Sequence, residues 1–452
     1  MPDVLRGGPR ADALGARRLR PDRPLQSRKA DSGAAGVRGE QSAAPRLRAR
    51  ELLAVIAAFE AIVGVAHVER PAALRLAGAG VRGIVRPKHA RELAACLRIA
   101  AERELAVVAH GAGTRQHLGN PLAAASCIRL DLGRIRERIE IDADEGIATI
   151  DAGVRVGELA LRLGALGKTS LLAELTPEGT VGGALASDPL RPEWSLDRRL
   201  ANEVLGIEVA LANGELAFAG GRVVKNVTGF DLVRLYCGSL GTLGVITRAT
   251  LRLRAAPERE RIAVARFPSL EAGIQAFSSC AAPFPSAGAA LIPDGSGVQL
   301  VTRIVGDTRA VEQHAARIPG DEVPPERWGR LRHSLATAPP AGRARVRLSA
   351  RPSDALDLCL ATAGVVGLAS LRVVLPSAGS VVAEVDDSEL PRLFEAAERL
   401  DALFVAERAP DAGPAPCDVF GPPPGSLALM RALKARFDPR RVLAPGRFVG
   451  GI

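Results

Sequence analysis

Apolar residues recur three and four positions apart along A-R-E-L-A-A-C-L-R-I-A-A-E-R (residues 90–103), placing Leu93, Leu97 and Ala100 on one face, and this spacing predicts an amphipathic helix. Short apolar runs on either side, 81–85 before Pro87 and 105–109, predict strands. From Ile128 onward 128–130, 140–142 and 148–152 read as short strands, and 156–167 reads as a helix introduced by Gly153 and Arg155. Strands at 206–211 and 216–219 flank an Asn213-Gly214 turn, and 245–254 predicts another. Residues 52–68 are almost wholly apolar. That stretch is only 17 residues long with Glu60 at its middle. A charge there costs roughly 2.5–3.5 kcal/mol in a bilayer, so the expectation is a buried helix ending near Gly64, not a membrane span.

Beyond Pro257 the rhythm changes. A strand (262–267), a helix (269–280), a strand pair around Asp294-Gly295-Ser296-Gly297 and a helix (308–318) make one unit. A similar unit follows, with a strand (344–349), a helix (353–363), strands (370–375 and 380–385) and a helix (388–400). Such a duplication predicts a ferredoxin-like α+β domain.

A chain of 452 residues is too long for one ordinary core and predicts two domains with room to bury a large cofactor. Its net charge of +10 invites a nucleic-acid or membrane reading, so the placement of the charge matters. Residues 1–50 hold twelve Arg/Lys and five Asp/Glu, or +7, leaving +3 for all the rest. The folded part is therefore nearly balanced, and nucleic-acid binding is not expected of it. Residues 1–48 carry no sustained apolar period and no apolar core of a secretory signal, so a disordered basic tail is expected there. The six cysteines, Cys96, Cys127, Cys237, Cys280, Cys359 and Cys417, form no C-x-x-C pair and no zinc or iron–sulfur spacing. Reduced thiols in a cytoplasmic protein are the expectation.

Three stretches carry the chemistry: V-V-A-H-G-A-G-T-R (107–115), T-V-G-G (180–183) and G-S-L-G-T-L-G-V-I-T (238–247). Each offers backbone N–H groups with no side chain in the way, which a pyrophosphate or the rim of a flavin needs for close approach. A Rossmann unit would open a helix at its glycines. Here Gly119, Asn120 and Pro121 follow the first loop and the next segment is extended. In order and spacing the three stretches resemble the FAD-binding domain of the p-cresol methylhydroxylase and vanillyl-alcohol oxidase type. G-G-R-V-V-K-N-V-T-G-F-D-L (220–232) and R-A-L-K-A-R-F-D-P-R-R-V-L-A-P-G-R-F (431–448) resemble the FAD-binding subunit of glycolate oxidase. The resemblance implies an α+β protein in which a two-subdomain FAD-binding domain precedes a ferredoxin-like α+β cap domain. The corresponding divisions are a tail at 1–48, the FAD-binding domain at 49–257, the cap at 258–425, and a C-terminal segment at 426–452 that returns to the FAD-binding domain.

The loop His110, Gly111, Ala112, Gly113, Thr114, Arg115 can wrap its amides around the pyrophosphate, with the Thr114 hydroxyl and the Arg115 charge as further partners. The resemblance places the turn at Pro177 together with Thr180, Val181, Gly182 and Gly183 near the flavin ring. It likewise sets Gly241, Thr242, Gly244, Val245 and Ile246 against the cofactor. His110 and His117 do not stand where a flavin-linking histidine is implied, so non-covalent FAD is expected. Lys225 and Asn226 match the glycolate oxidase motif and are the candidate catalytic pair, a cation favouring reduced flavin and an amide orienting the ring or a carboxylate. Phe230 stands where a tyrosine is common, and Ala201-Asn202 replaces an Arg-Asp pair. His314 and His333, nineteen residues apart with no H-x-H motif, predict no metal.

The resemblance implies an FAD-binding subunit that oxidises a small 2-hydroxy acid, glycolate to glyoxylate. Its electrons would pass to a second flavoprotein subunit and an iron–sulfur subunit, in the cytoplasm with any membrane attachment made through partners. Two alternatives stay open at this point: a free-standing FAD oxidase of another alcohol or lactone, and a scaffold subunit that has lost flavin.

Overall fold

The computed structural model describes residues 49–193, 199–222, 230–280, 286–409 and 415–452. The expected basic tail and the Lys225-Asn226 pair lie outside the described residues. Chain order begins with helix α1 (Ala49–Val63), followed by β1 (Val68–Glu69), β2 (Arg75–Leu76), β3 (Ala79–Val85), α2 (Ala90–Glu102), β4 (Val107–His110) and β5 (Ser126–Asp131). These strands form one sheet in the order β1-β3-β5-β4, with β2 also paired to β3. Both β3 and β4 run parallel to β5. On the sheet lie Leu93, Leu97 and Ala100 of α2, all fully buried, packed with Val55, Ile56, Phe59 and Val63 of α1. Burying each large side chain of this kind contributes about 1.5–3 kcal/mol. Helix α1 ends at Gly64, where φ is +88°, as the sequence predicts. It differs from expectation in burying one face only. Leu53 is exposed on the other, because the inward face follows the helical spacing of Val55, Ile56, Phe59 and Val63, to which Leu53 does not belong.

The second sheet is antiparallel throughout. It comprises β6 (Ile139–Asp142), β7 (Ile147–Asp151), β9 (Val204–Ala210), β10 (Leu216–Gly220) and β11 (Val245–Arg252), in the order β10-β9-β11-β7-β6. Between β7 and β9 come α3 (Val156–Gly164), β8 (Lys168–Thr169) and α4 (Val181–Ser187), and α5 (Leu232–Tyr236) precedes β11. Leu159 and Leu163 of α3, Val181 and Leu185 of α4 and Tyr236 of α5 share a core with Ile150, Val209 and Ile246 of the sheet. The expected helix 156–167 stops three residues early, at Gly164, and Gly167 carries φ of +63°. The two glycines and the Leu163–Leu166 turn end it.

A two-residue strand, β12 (Arg254–Ala255), pairs with β8 and leads into the cap. There the sequence expectation of a duplication holds and is completed. The first unit is β13 (Arg259–Phe267), α6 (Leu270–Cys280), β14 (Ser286–Pro293), β15 (Val298–Gly306), α7 (Thr308–Ala315) and β16 (Asp321–Val323). The second is β17 (Arg343–Ser349), α9 (Ala355–Val366), β18 (Leu371–Leu375), β19 (Ser380–Asp386), α10 (Leu390–Arg399) and β20 (Leu403–Arg408). Each unit contributes four strands, and the sheet order β16-β13-β15-β14-β18-β19-β17-β20 is mirrored about the β14–β18 contact. The closing strands β16 and β20 were not expected, and neither was α8 (Glu326–Ala336), which links the units.

After the cap, α11 (Leu427–Phe437) returns the chain to the first sheet. Residues 442–444 then run beside β4, with Val107 N–H donating to Val442 O at 2.8 Å and Ala444 N–H to Val107 O at 2.9 Å. A buried knot secures this return. Lys434 Nζ donates to Asp438 Oδ2 at 2.7 Å, to Thr242 O at 2.8 Å and to Leu443 O at 2.7 Å, so helix, C-terminal segment and third glycine stretch are tied at one ammonium.

Candidate functional site

The end of β4 enters the first glycine loop, and a cleft lies along it. His110, Gly111, Ala112, Gly113, Thr114 and Arg115 all line the cleft, together with Thr180, Gly182 and Gly183 at the start of α4 and Gly241, Val245 and Ile246 from the third stretch. Three segments separated in sequence thus form one concave surface. Small residues are required where they meet. A Cβ on Gly111 would lie 2.2 Å from Thr180 Oγ1, and one on Gly182 would lie 2.7 Å from Ala152 Cβ. Gly113 and Gly241 adopt φ of +78° and +73°, a region that side chains disfavour. Thr180 is itself held, its Oγ1 accepting from Gly183 N–H at 3.3 Å.

The two histidines of the first loop are engaged within the protein. His110 Nδ1 lies 2.9 Å from the Gly111 carbonyl oxygen, so in the neutral ring the proton sits on Nδ1. Burial, helped by the Arg129 charge, holds this imidazole below its usual range. His117 is buried, with Nε2 3.4 Å from Glu407 Oε2. That carboxylate comes from β20 of the cap and also faces Arg115 Nη1 at 3.6 Å and Arg345 Nη1 at 3.3 Å. Burial alone would push Glu407 up, but the neighbouring His117 imidazole and the Arg115 and Arg345 charges outweigh it and bring its carboxyl to about 2. Arg347, two residues along β17, shares the field of Glu407, Arg115 and Asp188. A cationic patch partly neutralised by Glu407 and Asp188 therefore stands between the cleft and the cap.

A family of FAD binding domains matches residues 81–220, and the C-terminal domain of FAD linked oxidases matches residues 423–448. The chain carries an FAD-binding domain. Its fold is that of p-cresol methylhydroxylase: a solved structure of that enzyme with substrate bound superposes with a TM-score of 0.64, covering 89% of this chain and 97% of that one at 16% identity. Among curated proteins, D-lactate dehydrogenase of Archaeoglobus fulgidus is 33% identical over 42% of this chain and 42% of its own length. Glycolate oxidase subunit GlcD of Bacillus subtilis is 30% identical over 43% of this chain and 42% of its own length. The matching stretch thus spans about two fifths of these two relatives. Glycolate oxidase subunit GlcE of Escherichia coli is 29% identical over 50% of this chain and 63% of its own length.

The cofactor of this domain is FAD, and the cleft suits it. Glycine-lined walls that a Cβ would fill leave backbone amides accessible to a diphosphate, while Val108, Leu132, Val245 and Ile246 offer apolar surface to a flat heterocycle. Not every expected residue lies on the FAD cleft. Val181 is wholly buried in the core behind it, and Thr242 is buried with its hydroxyl donating to Ser239 O at 2.7 Å. Gly244 packs where a Cβ would meet the Tyr236 ring at 3.2 Å, and Pro177 packs against Gly157. These four support the wall without forming it, because alternate positions of a turn or strand face opposite ways. Sequence reasoning missed Gln116, Leu118, Ala186, Ser187 and Leu240, and from the C-terminal segment Ala444 and Arg447. The ending had been singled out by resemblance, which was the available signal for the last two. Among the described residues no group of three or more His, Cys, Asp or Glu is placed to hold a metal, and no helix is long and apolar enough to cross a membrane.

Proposed function

We propose that this chain is the FAD-binding subunit of a dehydrogenase that oxidises a small 2-hydroxy acid, with glycolate to glyoxylate as the favoured reaction. FAD, when bound, takes up the two electrons released as the hydroxyl-bearing carbon becomes a carbonyl. The protein's part is to hold and orient. The loop 110–115 would receive the diphosphate, and Gly182, Gly183, Val245 and Ile246 would lie against the ring system. Lys225 would favour negative charge on the reduced ring and Asn226 would orient the ring edge or a carboxylate.

The observation that carries the substrate class is the cluster of Arg115, Arg345 and Arg347 between cleft and cap, with Glu407 and Asp188 in its field. A guanidinium group suits a carboxylate through paired, charge-assisted hydrogen bonds. The likeness to two glycolate oxidase subunits, GlcD and GlcE, supports glycolate and a multi-subunit complex, and the proposal has electrons leave through a second flavoprotein and an iron–sulfur subunit. FAD is expected to be held without a covalent bond, since neither His110 nor His117 stands where the resemblance implies a linking histidine.

The test is the anaerobic visible spectrum of the purified chain before and after glycolate, D-lactate or another 2-hydroxy acid is added. A flavin spectrum bleached by glycolate supports FAD and glycolate binding by this chain itself. Bleaching by a different hydroxy acid or an unrelated alcohol moves the substrate assignment. A flavin spectrum that bleaches only when co-expressed subunits are present assigns this chain a relay role, and a colourless protein overturns it.

A further inference from the structure

We infer that Arg447 is a positioning residue for the FAD-binding loop: its guanidinium gathers the backbone carbonyls at the end of that loop and sets the path of the segment that lines the cleft. The inference rests on the FAD reading of this cleft and concerns how the cleft is held open. Arg447 Nη1 donates to Asn120 O at 3.1 Å, and Nη2 donates to Gln116 O at 3.2 Å and to Leu118 O. The side chain is buried, at 5% exposure, so these carbonyls have little recourse to water once the arginine is removed. Burial also brings the guanidinium down to about 10, a mark of how little solvent reaches it.

The backbone around Arg447 is fitted to the same task. Asn120 N–H donates to Arg447 O at 3.0 Å and Ala123 N–H to Pro445 O at 2.8 Å, so the two segments are sewn together on both sides of the side chain. Gly119, at φ of +103°, sits where a Cβ would be 2.9 Å from Arg447 O and 3.2 Å from the guanidinium carbon. At the other end of the loop Gln116 Nε2 donates to Ala109 O at 3.3 Å. The stretch from His110 to Leu118 is thereby anchored to its own strand and to Arg447, with the cleft-lining residues between the two anchors.

A second role competes for the same residue, because Arg447 also lines the cleft and could serve as a point charge for a phosphate. The two differ in what they demand. A counterion role needs one positive charge, which lysine supplies. An ammonium can hold three acceptors where they converge on one point, as Lys434 does. Here the Asn120 carbonyl is met by Nη1 and the Gln116 and Leu118 carbonyls by Nη2, a spread that the planar fork of a guanidinium spans and a single ammonium does not.

The experiment measures FAD affinity by flavin fluorescence for the full chain and for Arg447→Met, Arg447→Lys and Arg447→Ala, the last with and without methylguanidinium at concentrations too low to unfold the protein. The expected result is a loss of about 10- to 100-fold in Arg447→Met, the usual scale for removing a group that orients direct ligands. A comparable loss is expected in Arg447→Lys, with partial recovery of Arg447→Ala by methylguanidinium but not by methylammonium. Wild-type affinity in Arg447→Met overturns the inference, and wild-type affinity in Arg447→Lys replaces it with a counterion role. Should Arg447→Met fail to fold, the lysine variant and the rescue of the alanine variant decide. If the wild-type chain itself binds no FAD, it is the underlying cofactor reading that has failed.

Discussion

Glu407 Oε1, on the last strand of the cap, stands 3.6 Å from Arg115 Nη1 in the first glycine loop. The contact joins the two halves of the protein at the mouth of the cleft. Removing one member of a buried charge pair leaves the other uncompensated, at a cost of about 3–5 kcal/mol. Glu407→Gln keeps the shape and loses the charge, so it should lower unfolding stability by an amount near the bottom of that range, since Arg345 also donates to Leu335 O and Thr337 O. Urea denaturation of the two proteins measures the difference, and coincident midpoints would contradict the contact's importance.

The same carboxylate predicts an acid limb. Glu407 titrates in the fold at about 2, below an unfolded value of roughly 4.3. A carboxyl depressed in this way stabilises the fold at pH values above the unfolded value, and the contribution disappears as pH falls from about 4 to about 2. The shift corresponds to roughly 3 kcal/mol. Stability measured against pH should therefore fall less steeply over that window in Glu407→Gln than in the wild type.

Gly111→Ala should cost both stability and cofactor. The added Cβ would be 2.2 Å from Thr180 Oγ1, and Thr180 cannot retreat without giving up its bond to Gly183 N–H. Overpacking of this kind costs about 1–3 kcal/mol. Thermal unfolding with and without added FAD reports the two effects separately. Thr180→Ser in the Gly111→Ala background should recover little, because the hydroxyl itself is the clashing atom.

Acid precipitation of the yellow protein should leave the flavin in the supernatant. His110 and His117 do not stand where the resemblance implies a linking histidine, and each has one ring nitrogen turned to a protein oxygen, Nδ1 of His110 to the Gly111 carbonyl and Nε2 of His117 to the Glu407 carboxylate. Flavin retained in the pellet would point to a linkage through another residue.

Much of the cradle was legible because glycine stretches announce themselves and their order matches a known arrangement. His110–Arg115 and Gly182, Gly183 and Gly241 needed no tertiary information to be singled out. Glu407 was invisible for the opposite reason. In L-F-V-A-E-R it looks like a solvated residue at a strand end, and only the pairing of β20 with β17 brings it beside Arg345. Leu240 and Ala444 were hidden too: both adopt left-handed φ, +54° and +42°, where glycine would be the expected signal. The missed helix α8 has an arginine-rich sequence with few apolar positions, and Trp328 and Leu335 supply most of its buried face.

The return of residues 442–447 to the cleft has a consequence for the order of events in the cell. Arg447 and Ala444 follow the whole cap in the chain, so a ribosome that has just completed β11 has made all three glycine stretches and lacks the wall they close against. At roughly 5–20 residues per second, translating the remainder up to Arg447 takes about 10–40 s. During that interval the nascent FAD domain is an open groove with apolar sides. Flavin capture is then expected late in maturation, and a shortage of FAD would leave a full-length chain whose C-terminal segment closes an empty groove in the FAD-binding domain.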